Sequence, residues 1–183
     1  MADLEAAILP GESLLLDTSV ALAYLTGSEQ TSPLATQIFD AFVATGRNPA
    51  ALSMVTVEEI LVRPFRAGPS AVATAEGFLK YFAEINLVDV NYDIAREGAR
   101  LRAATGLRTP DALIIASAMF TGTDLLVTSD RSWRAALESL GADLHLLVLT
   151  DQVGPIAPPT PVTQHSSQSR AGRARGGGRP RRR

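Results

Sequence analysis

The amino-acid sequence predicts an α/β domain on a mostly parallel sheet of about five strands flanked by helices. Three observations carry this. Short apolar runs of strand length alternate with stretches of helical length, the order of a parallel sheet with crossover helices. The first run, Leu14-Leu15-Leu16, is apolar without alternation, as in strands buried on both faces. The chain of 183 residues suits one domain large enough to bury a core without staples.

The elements follow in order. Pro10-Gly11 marks a turn before the first strand. Val20 to Leu25 reads as a helix stopping at Gly27, and Asp17 or Ser19 is placed to cap it. Pro33 opens a second helix with Ile38, Phe39, Phe42 and Val43 on an apolar stripe, ended by Gly46. Ala50 to Ser53 is a short strand that passes into a helix over Val55 to Leu61, stopped by Arg63-Pro64. Ala71 to Phe82 is helical, Ile85 to Val88 is the third strand, and Asp93 to Thr105 is a helix ending at Gly106. Thr109 is the expected N-cap of an apolar helix over Ala112 to Phe120, with Pro110 at its first position. Asp124 to Thr128 is the fourth strand. A helix through Trp133, Ala136, Leu137 and Leu140 leads to a last strand over Leu144 to Leu149.

The domain is bounded at 1–150. Residues 151–183 form a Pro-rich and then Arg/Gly-rich basic tail, expected to be disordered because it lacks the apolar positions that offset ordering entropy. The formal charge of −2 conceals a split: residues 1–169 carry −9 and residues 170–183 carry +7, from seven arginines and no acid. The acidic body is not a typical nucleic-acid-binding composition. There is no cysteine, which excludes disulfide frameworks and thiolate metal sites. Carboxylates, water, His145 and His165 are the remaining ligands, and oxygen ligation points to Mg²⁺ or Mn²⁺. No run has the ~18 apolar residues of a membrane span, and the N-terminus lacks a basic-then-apolar export pattern. A cytoplasmic protein without membrane contact is expected.

Four acids fall just after a strand or at the head of a helix: Asp17, Glu58 or Glu59, Asp111 and Asp130. In open α/β sheets ligands bind at the carboxyl ends of the strands, and this topology brings all four to that edge. Singly, each has a structural explanation. Asp17 and Asp130 suit helix caps, Asp111 complements a helix N-terminus, and a glutamate on a helix is commonly solvated. Together they repel unless cations lie among them or some take up protons. Glu58 and Glu59 are ~100° apart on their helix, and geometry does not choose between them.

The segments Leu15-Leu16-Asp17-Thr18-Ser19-Val20, Ser53 to Leu61, Thr109 to Ala116 and Leu126 to Arg131 together resemble the PIN-domain ribonucleases, and among them the VapC toxins of toxin–antitoxin pairs. The resemblance covers about residues 13–149. It implies a PIN-like three-layer sandwich and hydrolysis of RNA phosphodiester bonds with Mg²⁺ or Mn²⁺. Asp17 and Asp111 would be the principal metal ligands, with Asp130 the fourth acid and near a second ion. Glu59 rather than Glu58 matches the family's helix carboxylate. Ser19 would orient Asp17, and Thr18, Thr128 and Ser129 would stand beside the acids, Ser129 where many relatives carry Asn. The resemblance also implies an antitoxin partner and a homodimer, while the tail has no counterpart in the family pattern.

For RNA, Arg96, Arg100, Arg102, Arg108, Arg131 and the tail are the candidate phosphate contacts. Trp133 reads as core packing and His145 as structural. A phosphatase of the haloacid dehalogenase kind would need a second Asp two residues after Asp17, where Ser19 stands. A receiver domain would need an Asp after the third strand and a later Lys; Asp89 is near that place, but Lys80, the lone lysine, precedes it. A catalytically silent PIN-like RNA- or partner-binding module is the non-enzyme alternative.

Overall fold

The structure is a computed structural model and describes residues 4–82, 85–141 and 144–153. The tail expected beyond 150 lies outside the described residues from 154 onward. Five strands form one sheet: β1 (Leu14–Leu16), β2 (Ala50–Ser53), β3 (Ile85–Val88), β4 (Leu125–Thr128) and β5 (His145–Val148), in the order β3-β2-β1-β4-β5. Every pairing is parallel. The order reverses at β1, so the crevice between β1 and β4 is the topological switch point.

Alternation along β1 divides the leucine run between two cores. Leu14 and Leu16 pack on one face with Val20, Ile38, Phe39, Phe42 and Ile60. Leu15 packs on the other with Ile94, Leu101, Ile115, Leu126 and Trp133. The first face is covered by α1 (Leu4–Ala7), α2 (Thr18–Thr26), α3 (Ser32–Thr36), α4 (Met54–Ala67) and α5 (Pro69–Tyr81). On the second face lie α6 (Tyr92–Thr105), α7 (Thr109–Thr121) and α8 (Ser132–Leu140). This is the expected three-layer α/β sandwich. A four-residue helix, α9 (Leu149–Gln152), follows β5.

Two local expectations are corrected. Arg63-Pro64 does not stop α4, which runs through Pro64 to Ala67. Proline forfeits one hydrogen bond, whereas the preceding turns are held by buried Thr56, Val57 and Ile60, and Gly68 N–H closes the last turn on the Pro64 carbonyl at 2.9 Å. Thr109 is not the N-cap of α7: that position is Arg108, extended and without a side-chain cap bond. Thr109 is already helical, which brings Pro110 and Asp111 into the first turn. The apolar stripe over Ile38 to Val43 is helical, but with π-helical geometry over Gln37–Val43. All four of its apolar residues are buried.

Aromatic rings lock the first face. Tyr24 stacks on Phe39 at 4.4 Å between centroids, and Phe78 and Phe82 pack edge-on around them. The Tyr24 hydroxyl donates to Asp40 Oδ1 at 2.8 Å, and burial together with that carboxylate pushes its pKa up to about 12. On the second face α6 meets α7 closely at Gly98, where a Cβ would lie 2.9 Å from Leu113 Cδ2. Gly98 therefore lets Leu113 of the helix that carries Asp111 pack directly against the α6 backbone.

Candidate metal centre at the carboxyl edge of the sheet

Parallel register builds the site. Leu16 pairs with Val127, so the next residues, Asp17 and Thr128, leave their strands side by side. Asp17 N–H donates to the Val127 carbonyl at 2.9 Å. Its side chain turns back as the N-cap of α2, Oδ1 accepting from Thr18 N–H at 2.7 Å. Oδ2 accepts from the Ser19 hydroxyl at 2.6 Å, the Thr128 hydroxyl at 2.8 Å and Ser19 N–H at 3.3 Å. Asp17 is only 6% exposed. Burial raises its carboxyl above the usual range, against the opposing effect of these hydrogen bonds. The cap role and the site role coincide in one side chain.

The surrounding hydroxyls extend this network. Ser129 N–H donates to Ser19 Oγ at 2.9 Å. Thr128 Oγ1 accepts from Asp130 N–H at 3.1 Å, and Asp130 Oδ1 accepts from Ser132 N–H at 2.8 Å at the entry to α8. Asp130 is thus joined to Asp17 through Thr128, and like Asp17 it also organises a helix start. On α4 the two glutamates separate. Glu58 is exposed and Glu59 half-buried. Glu59 Oε2 accepts the Thr18 hydroxyl at 2.5 Å, while the Thr18 and Thr56 hydroxyls lie 3.2 Å apart. Packing thus distinguishes the two glutamates: Glu59 is joined to Thr18 beside Asp17, and Glu58 is exposed.

Asp111 opens α7 with its side chain 15% exposed, and Arg108 Nε donates to its Oδ2 at 3.1 Å. Arg108, Asp111 and Asp130 line a cleft of about 560 Å³ together with Leu107 and Ser132. Asp17 and Glu59 are not in that lining. The hydrogen bond and charge of Asp111 raise the Arg108 pKa, with smaller contributions from the charges of Asp130 and Glu59. Composition did not single out this counter-ion role. Its signal is the i,i+3 spacing of Arg108 and Asp111 at a helix start. Likewise Thr56 stands three residues before Glu59.

The other candidates stand outside the acid network, although Arg131 directly follows Asp130 in sequence. Arg100 is paired with Glu97, and Arg131 with Asp151. Arg102 Nε reaches the Leu107 carbonyl at 3.3 Å. Trp133 is core, 1% exposed, with Nε1 lacking a hydrogen-bond partner. His145 is exposed on β5, near Asp124, and takes no part in the acid network.

A parallel three-layer sandwich with Asp17 at its switch point and a neighbouring cleft lined by Asp111 and Asp130 defines the class of protein. The chain belongs to the PIN domain family, whose model matches residues 14–137. No curated protein sequence matches the chain. Among solved structures it is similar to a toxin–antitoxin complex from Klebsiella pneumoniae, at 20% identity, TM-score 0.54, over 74% of this chain and 97% of that one. VapBC2 from Rickettsia felis, bound to a DNA fragment from its promoter, matches at 14% identity and TM-score 0.57, over 74% and 98%. VapC20 of Mycobacterium tuberculosis, a Sarcin-Ricin loop cleaving toxin, matches at 16% identity and TM-score 0.55, over 67% and 94%. These likenesses show the shared fold.

Among the described residues no three His, Asp or Glu side chains gather closely enough to hold one metal ion. The donor set nevertheless fits a hard cation. Mg²⁺ keeps several waters and is commonly bound through one or two carboxylates, and all four acids offer oxygen. One of these acids, Asp111, already pairs with a cation, the Arg108 guanidinium at 3.1 Å. No helix among the described residues is long and apolar enough to cross a membrane.

Proposed function

We propose that the protein is a Mg²⁺- or Mn²⁺-dependent ribonuclease that hydrolyses RNA phosphodiester bonds and acts as the toxin of a toxin–antitoxin pair. The observation that carries this is the buried Asp17 carboxylate at the switch point, joined through Thr128 to Asp130 beside the cleft that Asp111 lines. Family membership and the fold shared with VapC toxins support it.

Asp17 and Asp111 would hold the ion, and Asp130 would stand near a second. The bound ion supplies polarisation of the phosphate and a water of lowered pKa. Every other contribution comes from the chain. Ser19 and Thr128 fix the Asp17 carboxylate by hydrogen bonds. Glu59, held through Oε2 by Thr18, keeps Oε1 to accept the proton of the attacking water. The water oxygen bonds to phosphorus, the bond to the leaving sugar oxygen breaks, and that oxygen takes a proton from solvent. No side-chain nucleophile takes part.

The partners proposed are RNA, an antitoxin that covers the acidic cleft, and a second copy of the chain in a homodimer. Arg96 and Arg102 are the described candidates least committed to carboxylates, and with the arginines of the tail they are the phosphate contacts proposed. The dispersal of the acids favours one second reading, a silent PIN-like module that binds RNA or a partner without cutting. Incubating purified protein with total cellular RNA separates the two. Cleavage that needs Mg²⁺ or Mn²⁺, stops with EDTA and is lost in Asp17→Asn and Asp111→Asn supports the enzyme. Cleavage at the wild-type rate by either variant rejects this active site.

A further inference from the structure

We infer that Arg108 is a built-in counter-ion of the cleft, a cation that a divalent metal must displace from Asp111. The inference rests on the metal reading above and adds a competitor from within the chain. Arg108 is the N-cap of α7, one turn before Asp111, and its Nε lies 3.1 Å from Asp111 Oδ2. It lines the same cleft as Asp111 and Asp130. The i,i+3 spacing at the helix start places the two side chains within reach of each other.

Energetics make the pair displaceable. The Arg108 side chain is 80% exposed while Asp111 is 15% exposed. An exposed ion pair of this kind is weak, so it neutralises Asp111 in the ion-free protein without sealing it. A divalent ion carries twice the charge and can be shared by more than one acid. Arg108 thereby keeps the acids tolerable to one another in the ion-free fold and lowers the apparent metal affinity by the strength of its own pairing.

Mn²⁺ binding to the full chain, followed by electron paramagnetic resonance without RNA, tests this independently of catalysis. Removing the competitor in Arg108→Gln should tighten Mn²⁺ by about two- to fivefold, and Arg108→Lys, which keeps the charge, should stay close to wild type. In an Asp111→Asn background the Arg108→Gln effect should vanish. If wild type and Arg108→Gln bind Mn²⁺ equally, or the variant binds more weakly, the counter-ion role is wrong while the metal site stands. If neither binds Mn²⁺, both the metal reading and this inference fall.

Discussion

Thr128 donates its hydroxyl hydrogen to Asp17 Oδ2 at 2.8 Å and accepts Asp130 N–H at 3.1 Å. One side chain at the end of β4 thus fixes two acids from different strands. The hydroxyl is fully buried and has both of its roles filled. Its cost falls on the carboxylate it serves, because water is excluded from Asp17 by the same packing.

That cost has a pH signature. Burial raises the Asp17 carboxyl in the folded state above its ordinary value. The folded protein therefore binds this proton more tightly than the unfolded chain. Its contribution to stability is full below the unfolded carboxyl range and is lost as pH rises through the raised folded value. Asp17→Asn has no such proton. In EDTA, the stability of wild type relative to Asp17→Asn should decline with rising pH across that window. Thermal unfolding of both proteins from pH 3 to 8 checks it, and a constant difference would show that Asp17 titrates normally.

The two adjacent glutamates give a second prediction. Glu59 is bound by Thr18 and half-buried, whereas Glu58 faces solvent. With Glu59 as proton acceptor, Glu59→Gln should slow single-turnover RNA cleavage by about 10²-fold or more. Glu58→Gln should leave it within about twofold. Equal losses in the two variants would remove Glu59 from the mechanism.

Most of this frame was legible in the sequence, for a physical reason. Leu14 to Leu16 and Leu125 to Val127 carry their fold assignment locally, since short unbroken apolar runs bounded by turn and cap residues fit strands buried on both faces. Glu59 was ambiguous because a helix shows about 100° of rotation per residue but not which side its neighbours cover; the contact with Thr18 distinguishes it from Glu58. Arg108 was hidden for a related reason. Its pairing depends on α7 starting at Thr109, and helix boundaries shift by a residue or two with little energetic consequence. The passage of α4 through Pro64 was hidden because tertiary burial outweighed local propensity.

Spacing between α6 and α7 supplies a third prediction. The Cβ position at Gly98 lies 2.9 Å from Leu113 Cδ2 and 3.6 Å from the Ala112 carbonyl oxygen. Gly98→Val adds branched bulk against both and should destabilise the protein by about 1–3 kcal/mol. For a chain of this size that lowers the melting temperature by roughly 2–4 °C per kcal/mol. Because α7 carries Asp111, the same variant should weaken Mn²⁺ binding. A variant as stable as wild type would show that α6 gives way without strain.

The basic tail supplies the last prediction. Near the last described residue, Val153, the chain is fastened to the acidic edge. Thr150 donates to the Ser129 carbonyl at 3.1 Å, and Asp151 accepts from Arg131 at 2.6 Å and Arg134 at 2.7 Å. Those pairings commit two arginines close to Asp130, and Arg108 is committed to Asp111. The body carries −9 over residues 1–169, so a polyanionic RNA meets few uncommitted cations there. The seven arginines from Arg170 to Arg183 come after this anchor in sequence, beyond a Pro-rich stretch. If they neutralise phosphates, each one adds about 0.7 to the slope of log affinity against log salt. Replacing all seven with Gln in the full chain should flatten the salt dependence of RNA binding by that amount for every phosphate they neutralise. Filter binding of single-stranded RNA across salt concentrations, with an Asp17→Asn background to prevent cutting, measures it. An unchanged slope would assign RNA binding to the folded body alone.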